Sequence, residues 1–119
     1  MRTGSTNTNL RQLIVSLKLL SHKEEAKIWA RIAKDLEKPS RLRRIVNISR
    51  INRYTKDGET VIVPGKVLGV GIIKHKLNVA AYSFSESARL AIRKAKGNVL
   101  SIDELIKQNP KGEKIRIFG

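Results

Sequence analysis

Leu10, Leu13, Ile14, Leu17 and Leu20 recur at the three- and four-residue spacing of one helical face, which predicts a helix over residues 8–20. Ser21 and Glu24 then have the Ser-x-x-Glu spacing of a capping box and are read as the start of a second helix. Trp29, Ile32, Ala33 and Leu36 form its apolar stripe, and Pro39 stops it, because the residue before a proline avoids helical geometry. Two amphipathic helices in succession predict a helical hairpin over residues 8–38.

Beyond Pro39 the pattern changes from helical to strand-like, and residues 39–119 read as a mixed β/α core. Residues 45–51 are rich in β-branched side chains and predict a strand. Asp57-Gly58 marks a turn. Residues 60–63 predict a short strand closed by Pro64-Gly65, and Val67-Leu68 another. Residues 77–82 form an apolar run of the kind buried on both faces. Ser83 and Glu86 give a second capping box, and Gly97 gives a helix stop. Ala88, Ala91, Ile92 and Ala95 are expected to face the core of that helix, with Arg89, Arg93 and Lys96 on another face. Val99-Leu100 predicts a strand. Ser101 and Glu104 form a third capping box, with Leu100 and Leu105 placed as a hydrophobic staple. Residues 109–112 (NPKG) end this short helix, and residues 115–118 predict a last strand. No internal repeat is evident, and 119 residues suit a single domain. Residues 1–7 are polar and are expected to form a flexible arm.

Charge narrows the class of partner. The chain has 25 Lys and Arg against 10 Asp and Glu, a formal net charge of +15. Such an excess repels itself unless a polyanion neutralises it, and nucleic acid fits best. With one tryptophan, two tyrosines and two phenylalanines, base stacking on aromatic platforms is disfavoured. Phosphate-dominated binding to folded nucleic acid is favoured instead. The tract from residue 38 to 56 holds seven basic residues and no acidic one: Lys38, Arg41, Arg43, Arg44, Arg50, Arg53 and Lys56. Arginine dominates it, and the planar guanidinium suits bidentate phosphate contacts. Arg41, Arg43 and Arg44 place three charges in four positions, and relief of their repulsion is expected to let Arg43 and Arg44 be replaced with Glu with little harm to, or even a gain in, the stability of the free domain. The candidate RNA-binding residues are Arg2, Arg11, Arg41, Arg43, Arg44, Arg50, Arg53, Lys66, Lys74, Lys76, Arg89, Arg93 and Lys96.

Other chemistry finds little support. Cysteine is absent, which excludes disulfides and thiolate metal sites. His22 and His75 lie far apart, without metal-ligand spacing. Trp29 lies on an apolar stripe and is read as core rather than as a stacking platform. Gly65, Gly69 and Gly71 do not complete a dinucleotide fingerprint, because Lys74 stands where its third glycine would be. Turns are the preferred reading for these glycines, with close backbone approach as the alternative. No nucleophile with a positioned base is indicated, and no cofactor or small-molecule substrate is expected. No apolar run reaches the roughly 20 residues of a membrane span, and no signal-peptide core is visible. A soluble, intracellular protein is expected.

Three stretches resemble a known family: residues 37–51 (EKPSRLRRIVNISRI), 63–69 (VPGKVLG) and 77–89 (LNVAAYSFSESAR). They are similar to the eighteen-e family of large-subunit ribosomal proteins of archaea and eukaryotes, over nearly the whole chain. The strand leading into Phe84-Ser85 and Ala88-Arg89 also resembles the bacterial fifteenth large-subunit protein. The resemblance implies an α/β fold in which N-terminal helices precede an irregular superhelix of β-β-α units. It also implies contact with large-subunit rRNA and neighbouring ribosomal proteins, a place in the cytoplasmic large ribosomal subunit, and no catalytic role. The chain departs from the family where Ala95-Lys96-Gly97 replaces a common Ala-Gly-Gly, which leaves the backbone at that helix end open. A dissociable RNA chaperone or general nucleic-acid-binding protein, and a small RNA-modifying enzyme, are the competing readings.

Overall fold

A computed structural model describes residues 4–39 and 43–118. Its helices are α1 (Gly4–Glu24), α2 (Lys27–Leu36), α3 (Ile48–Tyr54), α4 (Glu86–Lys94) and α5 (Ile102–Gln108). Its strands are β1 (Arg44–Asn47), β2 (Thr60–Leu68), β3 (Asn78–Phe84), β4 (Asn98–Ser101) and β5 (Ile115–Ile117). The fold is α/β, with the two N-terminal helices preceding short strands and helices, as expected from the sequence.

All strand pairs are parallel. β2 pairs with β3 on one side, and β4 lies outside β3. On the other side β5 pairs with Thr60–Ile62 and β1 with Gly65–Leu68, so the two lie end to end along β2. A parallel sheet is covered on both faces, and the middle of its central strands, residues 61–63 of β2 and 79–81 of β3, is accordingly apolar and buried. Ile62 and Ala80 point into a core built with Leu17, Trp29, Ile32, Leu36, Ile102 and Leu105 of α1, α2 and α5. Val61, Val63, Val67, Val79 and Ala81 point the other way, against Ile48 and Ile51 of α3 and Ala88 and Ile92 of α4. Trp29 is fully buried, and its indole Nε1 donates to the Pro110 carbonyl at 2.7 Å, which satisfies the one polar atom that burial would strand.

Four local expectations are corrected. Residues 45–51 are not one strand: β1 ends at Asn47 and α3 begins at Ile48. Ile48 and Ile51 reach the core together only at helical spacing, so packing overrides β-branched propensity. Pro64-Gly65 does not end a strand, since β2 runs on to Leu68. Pro64 lies within the register shift between Val63 and Lys66, where a missing N–H is tolerated. Ser21 and Glu24 do not open the second helix. α1 starts earlier and ends later than residues 8–20, Glu25 breaks it at φ 54°, and α2 starts after Ala26 without a side-chain cap. Ser83 is still in β3, and the cap of α4 is Ser85, whose Oγ accepts from the Ala88 N–H at 3.2 Å.

The third capping box is present in full. The Glu104 N–H donates to Ser101 Oγ at 3.1 Å, and the Ser101 N–H donates to Glu104 Oε1 at 2.8 Å. The second bond, more than any other contact, holds the Glu104 carboxyl below its ordinary pKa of 4.5. A depressed folded-state pKa gives stability that is present above the unfolded value and lost as pH falls through the folded one. Thermal stability should therefore decline as pH drops below about 4.5. Glu104→Gln, which cannot ionise, should flatten part of that decline. Melting curves of both proteins between pH 6 and 3 check this, and superimposable pH profiles would contradict it.

Candidate nucleic-acid interface

Helix α4 is amphipathic as the spacing predicts. Ala88 and Ile92 are buried and Ala91 and Ala95 partly so, while Arg89, Arg93, Lys94 and Lys96 are exposed. Helix α3 lies in the same layer, buries Ile48 and Ile51, and exposes Arg50 and Arg53. Residues 69–77 join β2 to β3 and add exposed Lys74 and Lys76. Within α3, α4 and residues 69–77 there is a single acid, Glu86. The ion pairs among the described residues lie elsewhere: Lys18 with Glu37 at 2.8 Å, Lys38 with Asp35 at 3.5 Å and Arg116 with Glu59 at 3.2 Å. This layer therefore presents guanidinium and ammonium groups without intramolecular neutralisation.

The connection over residues 69–77 is pinned rather than loose. The Lys74 N–H donates to Asn52 Oδ1 and the Lys76 N–H to Asp57 Oδ1, both at 2.8 Å. The Ser49 N–H donates to the Val70 carbonyl at 3.2 Å. Thr55 Oγ1 donates to the Ile51 carbonyl at 2.6 Å, so its proton is committed. The His75 Nε2 at 2.8 Å must then be the donor of that contact. His75 thus has a structural task, and Lys74 and Lys76 on either side of it are held in place against α3. Asn52 and Asp57 hold this connection in a way the sequence did not reveal, because side-chain bonds across 22 and 19 residues leave no local signal.

The glycine cluster divides. Gly71 takes φ 105° in a bend and also lies so close to Ser49 that a Cβ would collide with it. Gly69 serves close approach: a Cβ there would collide with Ser87 and the Ala88 backbone at the start of α4. Gly65 lies inside β2 against the Arg44 backbone, not in a turn.

The basic candidates separate into two groups, which linear sequence did not show. Arg44 shares the strand face of Val46 and so the side of α3 and α4, by the two-residue alternation of a strand. It joins Arg50, Arg53, Lys74, Lys76, Arg89, Arg93 and Lys96. Lys66 alternates with Val67 and belongs to the opposite side. Arg11 and Arg43 line one groove beside α1 on that side too. Arg2 and Arg41 lie outside the described residues. Arg43 is tied down: its Nε donates to the Lys38 carbonyl at 3.1 Å, and its Cζ lies 5.4 Å from the Tyr82 ring centroid. Replacing Arg43 therefore costs these contacts, which offsets the relief of repulsion expected there. Arg89 likewise lies over Phe84, with Cζ 5.8 Å from the ring centroid. That contact aims its guanidinium while leaving the side chain exposed.

Lys96 has a strained backbone. The Gly97 N–H donates to the Ile92 carbonyl and the Lys96 N–H to that of Arg93, both at 2.9 Å, the bond pair of a Schellman motif. Its left-handed position falls on Lys96 at φ 65°, where glycine is favoured. Lys96→Gly should therefore stabilise the free protein by about 1 kcal/mol. It should also weaken RNA binding by removing an exposed cation. Urea melts and an RNA titration on the same variant check both signs.

Among the described residues no group of three or more His, Asp and Glu could hold a metal, and no helix is long and apolar enough to cross a membrane. The sequence profile of the family described as "Ribosomal protein 60S L18 and 50S L18e" matches residues 1–118. The chain belongs to this family. The family is one of ribosomal proteins and not of enzymes. Its relatives include the large ribosomal subunit protein eL18 of Methanoregula boonei, 53% identical over 113 residues, which covers 95% of this chain and 93% of the relative. The protein of the same name from Methanococcus maripaludis is 49% identical over 115 residues, 97% and 96% of the two chains. That of Methanosphaerula palustris is 49% identical over 117 residues, 98% and 97%. The resemblance seen in residues 37–51, 63–69 and 77–89 thus extends over nearly the whole chain.

Proposed function

We propose that this chain is a structural constituent of the cytoplasmic large ribosomal subunit. Its partners are large-subunit rRNA and neighbouring ribosomal proteins, and it binds folded rRNA chiefly through the layer formed by α3, residues 69–77 and α4. The observation that carries this reading is the concentration of exposed Arg and Lys in that layer, where Glu86 is the single acid and which none of the ion pairs among the described residues reaches. Such a surface gains affinity by displacing cations condensed on the phosphate backbone, and the rigid sheet beneath it fixes where each charge sits. It reads the shape of an RNA fold and not its base sequence, because the deep major groove of an RNA helix is closed to side chains. The second basic group, around Arg11, Arg43 and Lys66, gives RNA or a neighbouring protein a separate approach from the α1 side.

Sedimentation tests this. A tagged copy expressed in cells should co-migrate with large subunits and remain there after a moderate salt wash. A chain that leaves the subunit peak for free RNA or for the top of the gradient would be a dissociable nucleic-acid chaperone, and the proposal would fail.

A further inference from the structure

The geometry points to a second mode of RNA contact, an apolar tip formed by Val70 and Ile72 that packs against the ribose and base-edge surface of a shallow RNA groove. This inference rests on the rRNA-binding reading above. Residues 69–73 alternate in a way a mere connection does not need. Gly69 is pressed against the first turn of α4 and Gly71 against Ser49 in the first turn of α3. Ile73 is buried in the core between them. Val70 and Ile72 are turned out, with 62% and 68% of their surface exposed. The Ser49 N–H bond to the Val70 carbonyl and the Asn52 bond to the Lys74 N–H fix both ends of the tip. Single exposed aliphatics need no explanation. Two on one immobilised tip form a preorganised contact surface, because little entropy is left to lose on binding.

Charge decides the occupant. The tip is followed by Lys74 and Lys76 and lies between helices that expose Arg50 and Arg89, with no acid in residues 69–77. An apolar protein surface would have to bury or approach these cations, whereas RNA offers phosphates to them and sugars and base edges to Val70 and Ile72. In RNA that apolar surface lies in the wide, shallow groove, which side chains can enter.

The test compares three proteins for binding to purified, magnesium-folded large-subunit rRNA across a range of salt: wild type, Val70→Ser/Ile72→Ser and Lys74→Ala/Lys76→Ala. Apolar contacts release no condensed cations. The serine variant should therefore lose affinity roughly tenfold at every salt concentration, with an unchanged slope of log affinity on log salt. The lysine variant should lower the magnitude of that slope by about 1.5. Both positions are exposed, so matching circular-dichroism melts are expected for wild type and the serine variant. If the serine variant binds as tightly as wild type, the tip does not contact RNA and the inference is overturned, even if its incorporation into subunits falls, since the tip then meets a protein. Wild-type binding without salt dependence would instead sink the underlying rRNA reading, and this inference with it.

Discussion

Reversing Arg50 and Arg89 to glutamate should lower affinity for large-subunit rRNA by about a hundredfold to a thousandfold and leave the folded protein as stable as before. Both side chains are exposed on the layer of α3 and α4, and neither has an ion-pair partner among the described residues. A unit charge about 4 Å from a phosphate is worth about 1 kcal/mol even at the dielectric constant of water. Reversal converts attraction to repulsion and so costs about 2 kcal/mol at each site. Two sites give about 4 kcal/mol, close to three orders of magnitude, with screening by salt lowering the figure. The free protein bears little of this cost. Arg50 lies in the first turn of α3 and Arg89 in the N-terminal half of α4, where a negative charge is favoured by the helix dipole. Loss of the Arg89 contact with Phe84 works against that gain, and relief of self-repulsion in a chain of net charge +15 works with it. Titration of each protein with rRNA beside its thermal melt checks the prediction. An unchanged affinity would remove this layer from the interface, and a collapsed melt would show that the arginines hold the fold.

Ile92→Asp should have the opposite outcome and leave little folded protein at 25 °C. Ile92 is fully buried beneath α4, in the same cluster as Val79, Ala81 and Ala88. The substitution removes a packed aliphatic side chain worth about 1.5–3 kcal/mol and buries a carboxylate among apolar side chains. Losses above about 4–5 kcal/mol are comparable with the whole stability of a domain of this size. The adjacent Arg93→Gln, exposed on the other side of the same helix, should melt like wild type. Circular-dichroism melts of the pair are sufficient, and a cooperative Ile92→Asp transition near the wild-type Tm would contradict the packing described for α4.

The contrast between residues 92 and 93 shows what kind of information the chain carries locally. The inward and outward faces of α4 were legible because 3.6-residue periodicity is a property of a few neighbouring positions. So were the apolar strand ending in the Tyr82 region and the Ser101–Glu104 capping box. Three kinds of feature escaped. Ile48 and Ile51 have strand propensity, and only their shared place in the core makes α3 a helix. Ser85, not Ser83, caps α4 because pairing with β2 carries β3 through Phe84. Continuity of β2 through Pro64 depends on a register shift against its neighbour. The candidate cations were recognisable as cations, but their division between two sides of the sheet follows from strand alternation and helix placement. Arg43 in particular resembles Arg44 in sequence, yet only Arg43 is held by the Lys38 carbonyl and Tyr82.

The central claim is that the layer of α3 and α4, and not basic charge in general, meets the RNA. Comparing the salt dependence of rRNA binding for three proteins tests it most directly. With about six phosphates neutralised, the wild-type slope of log affinity on log salt should be roughly −4 to −5.5. Replacing Arg50, Arg53, Arg89 and Arg93 with glutamine should lower its magnitude by about 3. Replacing Lys27, Arg31 and Lys34, which are exposed on α2 across the sheet, should leave it unchanged. A slope that persists in the first variant and falls in the second would place the RNA on the wrong side of the sheet for this account.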